Sequence, residues 1–92
     1  MKMIYKYPLA TADEIDINMP ADAELLCVRE QYGVPCIWAL VDTSRPYEVR
    51  RLLMLGTGHN LDNVSTSKYV GTVFEAGGQL VWHIFDVGKV VL

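Results

Sequence analysis

Residues Glu14-Ile15-Asp16-Ile17-Asn18-Met19 alternate strictly between polar and apolar side chains. At 180° per residue this sets Ile15, Ile17 and Met19 on one face and Glu14, Asp16 and Asn18 on the other, the pattern of a half-buried strand and not of a helix. The segment before it, Lys2 to Tyr7, opposes Met3, Tyr5 and Tyr7 to Lys2, Ile4 and Lys6. Pro8 ends that strand, because proline has no N–H to give to a ladder. After Pro20 a tight corner at Ala21 to Glu24 leads into Leu25-Leu26-Cys27-Val28, a third strand. Gln31-Tyr32-Gly33-Val34 carries the glycine that a hairpin uses, and Pro35 to Val41, apolar on both faces, belongs in the middle of a sheet.

Asp42 to Pro46 is a polar, proline-containing loop. Tyr47 to Leu55 returns as a strand with Tyr47, Val49, Leu53 and Leu55 in one register and Arg51 interrupting that face. Gly56 then opens the longest irregular segment, running to about Ser67, rich in Asn, Asp, Ser and Thr. Lys68 to Glu75 and Leu80 to Phe85 form a last pair of strands about the Gly77-Gly78 turn, and residues 86–92 read either as an eighth short strand or as an apolar tail for oligomerisation. With no helical stripe of even three turns, the chain is expected to be all-β: a single domain over residues 1–92, of about seven short, mostly antiparallel strands in a small sandwich or barrel.

Composition narrows the function. The 92 residues carry 8 Lys and Arg against 11 Asp and Glu, a net charge of -3, which argues against general nucleic-acid binding. No apolar run approaches the roughly 20 residues that cross a bilayer, and the start of the chain lacks a signal-peptide core, so a cytoplasmic protein with no membrane partner is expected. Cys27 and Cys36 form no CxxC and no Cys/His quartet, and both sit among apolar neighbours, so buried free thiols and no metal site are expected. No interlocking nucleophile, base or carboxylate pair is legible, so catalytic residues and cofactors are expected to be absent and the protein not to be an enzyme.

What remains is a candidate ligand site. Gly56-Thr57-Gly58 can gather backbone N–H groups into an anion-binding concavity, with the Thr57 hydroxyl and His59 beside it. Arg50 and Arg51 alternate across the preceding strand, so one of them would face that concavity as an anion clamp, although a solvated pair is the plain reading. Trp82 is the better aromatic face of the two tryptophans, Trp38 lying in a wholly apolar run; His83 reads as a hydrogen-bonded sheet histidine.

Lys6-Tyr7-Pro8-Leu9, Gly33-Val34-Pro35-Cys36-Ile37-Trp38-Ala39-Leu40-Val41-Asp42, Gly56-Thr57-Gly58-His59, Tyr69-Val70-Gly71-Thr72 and the run Gly77 to Phe85, in this order, resemble a family of small phage and prophage proteins of unknown function, over about residues 3–85. The tail beyond Phe85 departs from that pattern. The resemblance brings no activity or cofactor; it implies a short viral gene product in a host bacterial cytoplasm. By analogy it favours a non-enzymatic binding protein, a homo-oligomeric counter-defence sponge for a small anionic, nucleotide-type ligand. The alternatives are a protein–protein inhibitor of a host defence complex, anti-CRISPR-like, acting through the acidic residues Asp13, Glu14, Asp16, Asp22 and Glu24, or a virion accessory protein.

Overall fold

The computed structural model describes residues 1–64, 66 and 68–91. Seven strands form: β1 (Lys2–Pro8), β2 (Glu14–Pro20), β3 (Glu24–Gln31), β4 (Val34–Asp42), β5 (Tyr47–Gly56), β6 (Tyr69–Glu75) and β7 (Leu80–Lys89). Their alternating burial follows the period-2 pattern of the sequence, as in β2, where Ile15, Ile17 and Met19 turn inward. All pairings are antiparallel, in a three-stranded sheet ordered β1-β4-β3 and a four-stranded sheet ordered β2-β5-β7-β6. The two sheets stack as layers and do not close into a barrel.

Two local devices set the register. Gln31 pairs with Val34, and the two residues between them, Tyr32 and Gly33, sit at φ 52° and 82°, the left-handed pair that joins twisted strands most tightly. The strands β6 and β7 turn over a short 3₁₀ segment, Ala76–Gly78. The expected eighth strand or free tail is instead the end of β7. A bulge between Arg51 and Leu52 on β5 accommodates an extra β7 residue, Gly88 takes φ 94°, and the strand runs on to Lys89. Val90 N–H then donates to the Val49 carbonyl at 2.7 Å, so this segment is tied into the sheet. The Ser67 loop boundary and Leu92 lie outside the described residues.

The core lies between the layers. Leu25, Val28, Ile37, Ala39 and Val41 from one sheet meet Met19, Leu52, Met54, Val73 and Ile84 from the other, with Leu9 and Ala23 closing the ends. At β5 the face carrying Arg50, Leu52 and Met54 is the one that turns inward; Val49, Arg51 and Leu53 face out. The edges of β3 and β6 approach without pairing, and a Cβ on Gly71 would stand 2.9 Å from Val28 Cγ1. Glycine is therefore what allows the layers to meet there. Cys36 is buried, but Cys27 is half-exposed. A bulge between Leu25 and Cys27 shifts β3 so that Cys27 stands opposite Trp38 on the outer face.

Candidate functional site

The candidate residues divide between two faces. Arg50 points into the core and is 8% exposed. Its Nη1 donates to Asp86 Oδ2 at 2.9 Å on the adjacent strand β7, and its Nη2 donates to the Ala23 carbonyl at 2.8 Å, just before β3. The guanidinium thus brackets both sheets. Arg51 faces outward, where Nε and Nη2 donate to the two Asp16 oxygens at 2.8 and 3.0 Å, with Glu14 Oε1 at 3.2 Å. The hydrogen bonds from Arg51 hold the Asp16 carboxyl below its ordinary range. The strand alternation read from the sequence is present, but both cations are engaged by carboxylates and neither is joined to the glycine turn.

The turn itself is well defined. His59 N–H donates to the Gly56 carbonyl at 3.3 Å, and Gly58 takes φ 87° at the third position, the type II arrangement that requires glycine. Gly56 N–H donates to His59 Nδ1 at 3.4 Å, and the imidazole lies over the Gly56 α-carbon, where a Cβ would meet the ring at 3.2 Å. The amides of Thr57 and Gly58 take no part in these internal bonds. The Thr57 hydroxyl lies 2.7 Å from His83 Nε2. That link joins residues 26 apart in the chain, and no spacing rule in the sequence pointed to it.

Two cavities open beside His59. One, of about 290 Å³, lies between the turn and the start of β7 and is lined by Gly56, Thr57, His59, Gln79, Leu80 and Trp82 among others. Four of the residues singled out in the sequence therefore share one concavity. Trp82 packs its ring against the core and donates from Nε1 to Glu75 Oε1 at 2.9 Å, an oxygen that also accepts from the Thr11 hydroxyl at 3.0 Å. The second cavity, about 350 Å³, lies on the other side under the loop, between Leu61 and Val64 above and Leu53 and Leu55 below. Residues 60–64 are tied by their own bonds, Asp62 N–H to Asn60 Oδ1 at 2.9 Å and Val64 N–H to the Leu61 carbonyl at 3.1 Å.

The acidic residues fall into two groups. Glu14 and Asp16 lie at the start of β2 against Arg51, Asp13 just before them borders the cavity under the loop, and Asp22 and Glu24 line a cavity near Arg45, which is ion-paired with Asp22. Among the described residues no group of three His, Cys, Asp or Glu side chains is placed to hold a metal ion. No helix among them is long and apolar enough to cross a membrane.

No curated protein and no solved structure matches the chain. One family model does, over residues 1–90, nearly the whole of this two-layered fold and every residue of the turn and its cavities: the chain belongs to the family described as Domain of unknown function (DUF7352).

Proposed function

We propose that this protein is a small-ligand-binding domain that sequesters a nucleotide-type molecule at the Gly56–His59 turn. The observation that carries the reading is the cavity of about 290 Å³ that brings Gly56, Thr57, His59 and Trp82 together. Its size is near the lower end of ligand pockets, about 300 Å³, and suits one planar ring system. The imidazole and indole offer faces for a heterocycle, while the amides of Thr57 and Gly58 on the same turn offer donors to an anionic group. Arg50 and Arg51 serve the fold and stand outside this contact set. The resemblance to phage and prophage proteins supports a sponge role in a bacterial cytoplasm. The edge of β1, which pairs with β4 on one side only, supports association of two copies through that edge.

Titration calorimetry with linear and cyclic nucleotides and their nucleosides tests the reading, alongside fluorescence of a Trp38→Phe variant in which Trp82 is the sole indole. Binding is expected for at least one member, with an altered Trp82 emission, about tenfold weaker for His59→Ala and unchanged for Arg51→Ala. Heat from none of them overturns it. Light scattering on the free protein reports the copy number.

A further inference from the structure

The outer face of the β6–β7 pair carries a chain of four side chains. Thr57 Oγ1 lies 2.7 Å from His83 Nε2, Thr72 Oγ1 lies 2.9 Å from His83 Nδ1, and Tyr69 Oη lies 2.5 Å from Thr72 Oγ1. Strand register builds it: His83 stands opposite Thr72 on one side and opposite Leu55 on the other, and Thr57 is two residues past Leu55, directly after the end of β5. The ring is half-buried and held at both nitrogens, while Thr57 sits on an exposed turn.

A neutral imidazole donates from one nitrogen and accepts at the other. With Thr72 Oγ1 accepting the Nδ1 hydrogen, the Nε2 lone pair faces the Thr57 hydroxyl. A hydroxyl in contact with a base that a third group orients is the arrangement that activates nucleophilic hydroxyls on unrelated folds. The Thr57 and Gly58 amides take no part in the turn's internal bonds and are the neighbouring groups that would donate to a developing oxyanion.

We propose that Thr57 is an activated hydroxyl that accepts an acyl group from activated esters, with His83 as its general base. Thr57 Oγ1 attacks the ester carbonyl carbon and its proton passes to His83 Nε2. The tetrahedral adduct collapses by breaking the bond to the alkoxy oxygen, which takes the proton from Nε2 and departs as the alcohol. Thr57 is left as an ester, and no oxidant or reductant is needed. While the ring holds both protons, Thr72 Oγ1 accepts from Nδ1 and turns its own hydrogen toward Tyr69 Oη, so Thr72 and Tyr69 are positioning residues. The proposal rests on this side-chain chain and not on the identity of the ligand in the neighbouring cavity.

The test uses the intact protein and p-nitrophenyl acetate, with nitrophenolate release followed by stopped flow and the acetylated residue located by peptide mass spectrometry. One equivalent is expected to be released in a burst, with the acetyl group on Thr57. Thr57→Ser should keep the burst, Thr57→Ala should remove it, and His83→Gln should slow it by about 10² to 10⁴-fold. Thr72→Val should change the pH profile of the burst, and Thr72→Ser should restore it. Acetyl groups found on lysines with Thr57 unlabelled, or a burst of the same rate in folded Thr57→Ala and His83→Gln, overturn the proposal. Labelling and nucleotide calorimetry are separate readouts, so either reading can fail while the other stands.

Discussion

Arg50 and Asp86 form a buried ion pair, 7–9% exposed at the side chains, in which one carboxylate oxygen receives the guanidinium at 2.9 Å and the other receives the Gly88 N–H at 2.9 Å. The pair fixes the place where β7 bulges past β5, and the same guanidinium holds the Ala23 carbonyl of the chain entering the opposite sheet. Removing one member takes from a buried charge its closest counterion, although Glu48 Oε1 still lies 3.8 Å from Arg50 Nη2. Arg50→Ala and Asp86→Ala are each expected to lower stability by about 3–5 kcal/mol, and the double change Arg50→Met with Asp86→Leu to cost less than either. Urea unfolding of the three variants checks this.

At Gly71 the expected outcome is steric. A methyl group there would meet Val28 Cγ1 at 2.9 Å, so Gly71→Ala must push β6 from β3 or twist Val28 from its rotamer. A loss of about 1–3 kcal/mol follows. Val28→Ala removes the opposing atoms, so the double variant should fall short of the sum of the two single losses, which a thermal-unfolding cycle measures.

Asp42 supplies an acid-sensitive contact. Its Oδ1 accepts from the Ser44 hydroxyl at 2.7 Å, from the Ser44 amide at 3.0 Å and from the terminal ammonium of Met1 at 3.3 Å, and these bonds lower the carboxyl from 3.8 to about 2. A pKa depressed on folding gives stability that is present above the unfolded value and is lost as pH falls from there through the folded one. Ser44→Ala should therefore lower stability at neutral pH, where this contribution is fully present, and flatten the acid limb of the stability curve between pH 3.8 and about 2, below which the variant and the parent converge. Urea midpoints measured across that window report it.

The two thiols should differ. Cys36 is 2% exposed in β4, whereas Cys27 borders a cavity of about 460 Å³ between the edges of β3 and β6. A thiol reagent should modify Cys27 in the native protein and Cys36 only as the chain unfolds, and mass mapping at partial reaction distinguishes them.

Strand positions were legible because period-2 alternation is a local signal, clearest at Ile15, Ile17 and Met19. The pairing order was not, because it depends on residues far apart, such as Asp16 with Arg51, 35 positions away. Arg50 shows how a side chain misleads when read by type. Its charge suggested a ligand clamp, yet it shares a face with Leu52 and Met54, and alternation alone would have sent it inward. The Gly56 to His59 turn was recognised by its glycines, but the partner of Thr57 lay on β7 and was read as a sheet histidine. Cys27 was misplaced because a bulge leaves no mark in the hydrophobic pattern. The tail after Phe85 looked separable because its extra residue breaks the alternation; Gly88 absorbs that residue and the strand continues.

The sheet order also governs how the chain reaches this state. Among the strands that pair with each other, only β3 with β4 and β6 with β7 are joined by short turns; β1 waits for β4, β2 for β5, and β5 for β7. Two hairpins can zip early, but each layer is completed only when a segment threads back across dozens of intervening residues, and that closure entropy precedes any gain from the shared core. Chains dominated by such distant pairings fold in about milliseconds to seconds, far slower than helical bundles of equal length. During that interval β1 and β2 remain unpaired, and the rate at which a newly made chain hides them sets its exposure to aggregation.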